Sequence, residues 1–506
     1  MDHILSVDLG TTAIKVALFD AEGTVLSKAT REYSLLTPST LAVELPAEAY
    51  WQAYASGVKE VLGRGAVDPA RIRALGISAQ GETLIFADRD GAPLRNAIVW
   101  LDNRAQKEAE TLNAAFPPRD TYRITGQVSI VPTWPAAKVL WVRENEPEVF
   151  SRTARVLLIE DWFIHRLTGE YCCEGSLCCS TAYWNITTRR WWPEMLRRLG
   201  LDESRLPAIR ESGEAVGPIL PAAAKELGLS PQTVVCMGAL DQAAGAIGVG
   251  TIAPGVFSEN TGAALAICAT VGRPFLDPKG RMPCHYHGIP GTYMAHTFTT
   301  GGIVLKWYRD TFCQEEMRVG GLLGTDPYDL IGGEAARIRP GADGLIVLPH
   351  LQGAMAPEAN PKAKGVFYGI TLRHTKAHFA RAIMESIACI VRRNIEVVEE
   401  LGIPVKEVRC LGGGSRSGLW NQIKADLIGR PVLTMANEEA ACLGAAIIAG
   451  TGVGMFGSLA EACARMVKLK GRHEPDLETT RAYAPCYEKY VGLYDSLAGM
   501  FAKERE

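Results

Sequence analysis

The stretch GALDQAAGAIGVGTIAPGVFSENTG, residues 238–262, lies near the midpoint of the 506-residue chain and carries the two features from which the fold is read. The run TVVCMG leading into it is β-branched and apolar, the composition of a buried strand, and it delivers Asp241 and Gln242 at its carboxyl end. α/β proteins place their chemistry at such strand ends. Beyond it, VFSENTGAALAIC reads as a second apolar strand broken at Asn260-Thr261-Gly262, a turn of small residues expected to leave backbone N–H groups facing an anion. An acid and an anion-sized turn so close together point to phosphoryl transfer.

The chain opens in the same way. HILSVDL, IKVALFD and TVLSKATREY read as a strand meander. Its first turn, Asp8-Leu9-Gly10-Thr11-Thr12, lacks the Asn-Gly or Asp-Gly of an ordinary hairpin and offers hydroxyls and amides to a ligand instead. From residue 46 to 62 apolar residues recur at helical steps, and RIRALGIS then forms a strand ending at Gln80-Gly81-Glu82. The run NAIVW ends in Trp100, just before Asp102. Glu82 and Asp102 are read as acceptors for the hydroxyls of a polyol. A helix covers VPTWPAAKVLWVRE, a long amphipathic helix runs from about 375 to 401, and EVRCLGG is a strand ending in Gly412-Gly413-Gly414-Ser415. Alternating strands and helices imply α/β throughout. The strand–turn–strand pattern in each half suggests duplicated domains facing one ligand, residues 1–250 and 251–506.

Composition narrows the function. A hydrophobic fraction of 47 %, a charged fraction of 22 %, a net charge of −3 and a pI near 6.4 suit an ordinary enzyme and provide no basic field for nucleic acid or an anionic membrane surface. The N-terminal run lacks the positive charge of a signal peptide, and no stretch is long and apolar enough to span a bilayer, so a cytoplasmic location is expected. The 13 cysteines form no CxxC and sit singly in apolar runs or as adjacent pairs, the pattern of reduced core thiols. There is no GxxxxGK[ST], and glycines 245, 248 and 250 have the wrong spacing for a dinucleotide fingerprint.

What remains is a clamp of two turns, one from each half. Asp8 would repel a phosphate, so its task is to hold a hydrated Mg²⁺ bridging the phosphates, while Gly10 lets the turn close on them. The run Gly412-Gly413-Gly414-Ser415-Arg416-Ser417, between a strand and a helix, lets a flat adenine lie on the backbone.

These elements resemble the FGGY carbohydrate kinases of the actin-like ATPase superfamily, over nearly the whole chain. GVFYGITLRHTKAHFARAIME, residues 365–385, follows that family's second signature, and the segment around TWPAAKVLWVRE fits its first from Pro135 through Lys138 and Trp141, with Thr133 as a departure. The resemblance implies two duplicated actin-like (ribonuclease H-like) domains with a cleft between them, ATP and Mg²⁺, and a small sugar or polyol substrate, with a homodimer as a candidate assembly. It makes Asp241 the catalytic base and, with Asp8, a metal ligand, and it puts Gln80, Glu82, Trp100, Asp102 and Gln242 at the substrate. Thr11, Thr12, Lys15, Thr261, Gly262, Gly302 and Lys306 would meet the nucleotide phosphates, and Gly413, Gly414 and Ser417 the adenosine. Gly81 stands where glycerol kinases carry arginine, which points to a xylulokinase-like enzyme and a pentulose such as xylulose. Glycerol, erythritol, ribulose or a hexulose are alternatives. An actin- or chaperone-like ATPase without a sugar is the rival class.

Overall fold

The computed structural model describes residues 2–65 and 67–503. The apolar run His3–Leu9 becomes the strand at the heart of a first sheet, antiparallel to Ala13–Phe19 and parallel to Ile72–Ala79. A strand flanked this way is covered on both faces, hence its near-continuous hydrophobicity. Ala13–Phe19 pairs antiparallel with Val25–Glu32 on one side, and Ile72–Ala79 pairs parallel with Val234–Cys236 on the other, with Ala215–Pro218 antiparallel at the edge.

The second half repeats this plan. Gly255–Thr261 is antiparallel to Ala264–Val271 and parallel to Val405–Leu411. Tyr293–Thr300 follows antiparallel on one side; Val432–Met435, parallel, and Leu469–His473, antiparallel, follow on the other. From Val25–Glu32 in the first sheet and from Tyr293–Thr300 in the second, the pairings run antiparallel, antiparallel, parallel, parallel, antiparallel, the physical content of the expected duplication; the second sheet adds Cys284–Tyr286, antiparallel, outside Tyr293–Thr300. The first sheet uses residues only up to 240 and the second only from 255.

Helices Ala47–Gly65 and Lys376–Glu400 each bridge the outer strand to the next parallel strand in their half, as their apolar stripes foretell. The helix that begins at Asp241, Asp241–Gly248, packs against Ala440–Gly452 from the second half. Only glycine permits this approach: a Cβ on Gly444 would lie 1.8 Å from the Ala244 carbonyl oxygen, and one on Gly248 1.9 Å from that of Ala440. Helix Ala440–Gly452 also rests on the first sheet, where a Cβ on Gly76 would meet the Ala445 carbonyl oxygen at 2.2 Å. The two halves are thus joined by backbone contact between small residues.

Two details depart from expectation. The turn after Gly255–Thr261 sits one residue later, at 262–263, and the run NAIVW yields only the two-residue strand Ala97–Ile98, in a small sheet with Glu44–Leu45, Leu84–Ala87 and Arg155–Leu158. The cysteines are all free, and among the described residues no cluster suits a structural metal. No helix among them is long and apolar enough to cross a membrane.

Candidate active site

The first turn is built around Gly10, where a Cβ would lie 2.7 Å from the Ala13 carbonyl oxygen. Its own carbonyl accepts from Gln80 Nε2 at 3.1 Å and from the Tyr33 hydroxyl, which fixes the bend from behind. Asp8, near the end of its strand, accepts a hydrogen bond from the Ser78 hydroxyl at 2.9 Å on the neighbouring strand.

Asp241 is the first residue of its helix and accepts from the Gln242 amide at 2.7 Å. Asp8 and Asp241 line one cavity of about 180 Å³ together with Lys15, Gln242, Asn260 and Gly412. Burial, then the negative charges of Asp8 and Glu82, pushes the Asp241 carboxyl up to about 7. Asp8 is also raised by burial, with Lys15 and the Ser78 hydroxyl opposing. Two carboxylates in one cavity, one disfavouring the ionisation of the other, form a hard-oxygen pair that suits Mg²⁺, whose remaining ligands would be phosphate and water.

A second cavity shares Lys15, Gly412, Glu438 and Glu439 with the first and continues past Gly413, Ser415, Arg416, Asn437 and Lys470. Gly412 takes a left-handed φ of 73°, and a Cβ there would lie 2.5 Å from Asn260 Oδ1. A Cβ on Gly413 would meet nothing within 4 Å, so its face is open to a ligand. Glu439 pairs with Lys15 at 3.2 Å and Lys28 at 2.9 Å, tying the second half to the first at the cavity floor. Asn437 Oδ1 accepts from the Glu439 amide at 2.9 Å, leaving its enclosed Nδ2 without a partner among the described residues.

Glu82 and Trp100 are half-buried and lie outside the lining of both cavities, with Glu82 near enough to Asp241 for its charge to act there. Glu82 adopts a left-handed φ of 54°, unusual without glycine, and burial raises its carboxyl against the pull of Ser180 and Lys138. The Trp100 indole N–H donates to the Thr11 hydroxyl at 2.7 Å, and its ring meets Phe298 of the second half edge-on at 6.5 Å. Thus the structure gathers Asp8, Lys15, Asp241, Gln242 and Gly413 along two adjoining cavities, with Glu82 beside Asp241, Trp100 tied to Thr11, and Thr12 exposed on the first turn.

Other expected contacts are corrected. Asp102 is 0 % exposed, and its carboxylate is taken up by the Val43 amide at 2.6 Å and the amide and guanidinium of Arg104, so it anchors a loop and has no oxygen for a sugar. Gln80 donates its Nε2 to the Gly10 carbonyl behind the turn, while its buried Oε1 has no partner among the described residues. The Thr261 hydroxyl is buried between Glu259 and Lys424. The Gly262 amide donates to the Ala264 carbonyl at 2.9 Å and the Gly302 amide to the Gly262 carbonyl at 2.8 Å, so these glycines bind each other and not an anion. Gly414 packs on Thr261, Ser417 caps the following helix through the Trp420 amide at 3.2 Å, and Lys306 pairs with Asp310 at 2.6 Å outside both cavities. The residues that sequence reasoning passed over are Asn437, Glu438, Glu439 and Lys470. The sequence signal for the first three is a polar run between strand Val432–Met435 and helix Ala440–Gly452, while Lys470 lies in the edge strand Leu469–His473.

Known proteins match the chain in both halves. Residues 3–248 match the N-terminal domain and residues 270–453 the C-terminal domain of the FGGY family of carbohydrate kinases. The chain is 29 % identical to the gluconokinase of Bacillus subtilis (strain 168) over 502 residues, covering 99 % of this chain and 97 % of that one. It is also 29 % identical to the xylulose kinase of the same organism over 495 residues, covering 98 % and 97 %. The crystal structure of ligand-bound xylulose kinase from Lactobacillus acidophilus superposes with a TM-score of 0.91 at 26 % identity, covering 99 % of this chain and 100 % of that one. Matched in both halves and along its whole length by sugar kinases, the chain belongs to the FGGY family of carbohydrate kinases.

Proposed function

We propose that this kinase transfers the γ-phosphoryl group of MgATP to a hydroxyl of a neutral ketose or polyol, with a pentulose such as xylulose as the first candidate. The observation that carries this reading is the placement of Asp241 and Asp8 in one cavity that continues into the glycine-lined recess at Gly412 and Gly413. The ionised Asp241 accepts the proton of the acceptor hydroxyl as that oxygen forms its bond to the γ-phosphorus; the bond from phosphorus to the β,γ-bridging oxygen breaks, and ADP leaves. Asp8 and Asp241 would hold Mg²⁺, which when bound offsets the charge on the phosphates.

Thr11, Thr12 and Lys15 then meet the phosphates from the first lobe, residues 1–250, and Asn260 and Gly413 meet the nucleotide from the second, residues 251–506. Glu82, Trp100 and Gln242 meet the sugar. Closure of the lobes about the paired helices Asp241–Gly248 and Ala440–Gly452 would exclude water, the competing acceptor. A neutral acceptor is favoured over an aldonate such as gluconate, because the first cavity already holds the carboxyls of Asp8 and Asp241, and the charges of Asp8 and Glu82 both raise Asp241. The cation in the first cavity, Lys15, is engaged by Glu439. The proposed location is the cytoplasm.

A coupled assay of ADP release over a panel of ketoses, polyols and gluconate tests the substrate. Xylulose-dependent turnover is expected, and Asp241→Asn should lower kcat by ~10²- to 10⁴-fold while leaving ADP affinity nearly unchanged. ADP release that ignores every sugar, or undiminished turnover in Asp241→Asn, would overturn the reading.

A further inference from the structure

Lys138 lies on helix Pro135–Asn145 with a side chain 0 % exposed. Its ammonium contacts main-chain oxygens: the carbonyl of Val99 at 2.9 Å, of Glu82 at 3.3 Å and of Trp100 at 3.4 Å. An ammonium has three N–H donors, and here three carbonyls meet it. Those carbonyls belong to two separate segments, the turn after strand Ile72–Ala79 and the turn after strand Ala97–Ile98. One segment carries Glu82 and the other Trp100. Glu82 is held in the left-handed region, a conformation that persists only where its surroundings over-determine it.

We propose that Lys138 is the positioning residue of the sugar end: its ammonium pins the Glu82 and Trp100 carbonyls together, so that the Glu82 carboxylate and the Trp100 indole present one fixed face to the acceptor. Lys138 thereby sets sugar affinity without touching the sugar. The inference rests on the preceding reading, in which Glu82 and Trp100 meet the substrate. An interior cation is dear to keep, and an apolar residue of the same length would pack there at lower desolvation cost. Positioning explains the charge, whereas packing alone does not.

The charge is also conditional. Burial holds the Lys138 ammonium down to about 7, with Glu82 from one turn and Asp102 from the other supporting its charge and Arg104 opposing it. Once deprotonated, the amine keeps two donors and turns a lone pair toward a carbonyl oxygen. Sugar binding should therefore weaken as pH rises from 6 to 9. Arginine, which stays charged, should remove that dependence.

The test uses the full chain, D-xylulose and D-gluconate as sugar probes, and ADP as the nucleotide probe, all titrated calorimetrically. Lys138→Met is expected to weaken binding of the sugar that binds by ~10-fold or more, as loss of charge-assisted hydrogen bonds implies, while ADP affinity shifts less than about twofold. Amide exchange should quicken together at residues 80–83 and 99–102. Equal weakening of sugar and ADP, or no change in either, overturns the proposal.

If Lys138→Met does not fold, the pH series decides. Asp241→Asn removes the cavity carboxyl that burial also brings to about 7, and sugar affinity in that background should fall with pH, whereas Asp241→Asn/Lys138→Arg should be flat. A fall that persists with arginine belongs to a buried carboxyl such as Glu82 or Glu174 and overturns the assignment. If neither sugar binds, the substrate reading fails separately, and Lys138 is judged on exchange: coupled quickening of both turns supports the pinning, and unchanged exchange refutes it.

Discussion

The indole N–H of Trp100 donates to the hydroxyl of Thr11 at 2.7 Å, joining the turn after strand Ala97–Ile98 to the first turn of the chain. In the proposed reading, sugar and phosphate recognition share this hydrogen bond. Trp100→Phe keeps the ring and its edge contact with Phe298 but removes the donor. A net loss of about 0.5–1.5 kcal/mol is expected, a drop of ~2- to 10-fold in kcat/KM for the sugar. Thr11→Val should produce a similar loss, and in a double-mutant cycle the two should be non-additive.

Asp241 is pushed up to about 7, so the base is protonated in mild acid. Activity should be lost as pH falls through about 7, visible as an acid limb in kcat/KM. The stability sign is opposite. Because the folded value exceeds the ordinary carboxylate value of 3.8, the folded state binds the proton more tightly between 3.8 and about 7, and stability declines as pH rises through that window. Asp241→Asn should therefore melt at a higher temperature than the natural protein at pH 8, with the advantage gone below about pH 4. Calorimetric scans at both pH values check this.

Lys424 and Glu259 form an ion pair with both side chains 0 % exposed, and the pair secures the Thr261 hydroxyl. Lys424→Met would strand a buried carboxylate, and the expected loss is about 3–5 kcal/mol by denaturant titration. Replacing both partners, Lys424→Met with Glu259→Leu, should recover most of it. Failure of the double variant to recover would show that the pair holds the turn in a way apolar packing cannot.

Gly444→Ala places a methyl group where the Ala244 carbonyl oxygen lies, 1.8 Å from the Cβ position. The two central helices must part, and overpacking of this kind destabilises by about 1–3 kcal/mol or more. Those helices begin at Asp241 and immediately after Glu439, so kcat should fall along with the melting temperature. A variant with natural turnover would show that the helix contact does not set the catalytic geometry.

By itself the sequence determined the alternation of strands and helices, the duplicated strand–turn–strand units, and the placement of Asp8, Gly10 and Asp241 at strand ends. Each of these is a local signal, set by periodicity or by what one bend sterically permits. The tertiary structure decided which polar groups remain free for a ligand. Asp102 looks available in sequence, but the Val43 amide and Arg104 claim it; Thr261 looks like a phosphate contact, but Lys424, distant in the chain, claims its hydroxyl. Glu439 and Asn437 reach the cleft only because helix Ala440–Gly452 crosses onto the other half's sheet. A hydrogen-bonding group serves a substrate only if no internal partner has taken it, and such partners are assembled by packing across the chain, beyond the reach of any local pattern.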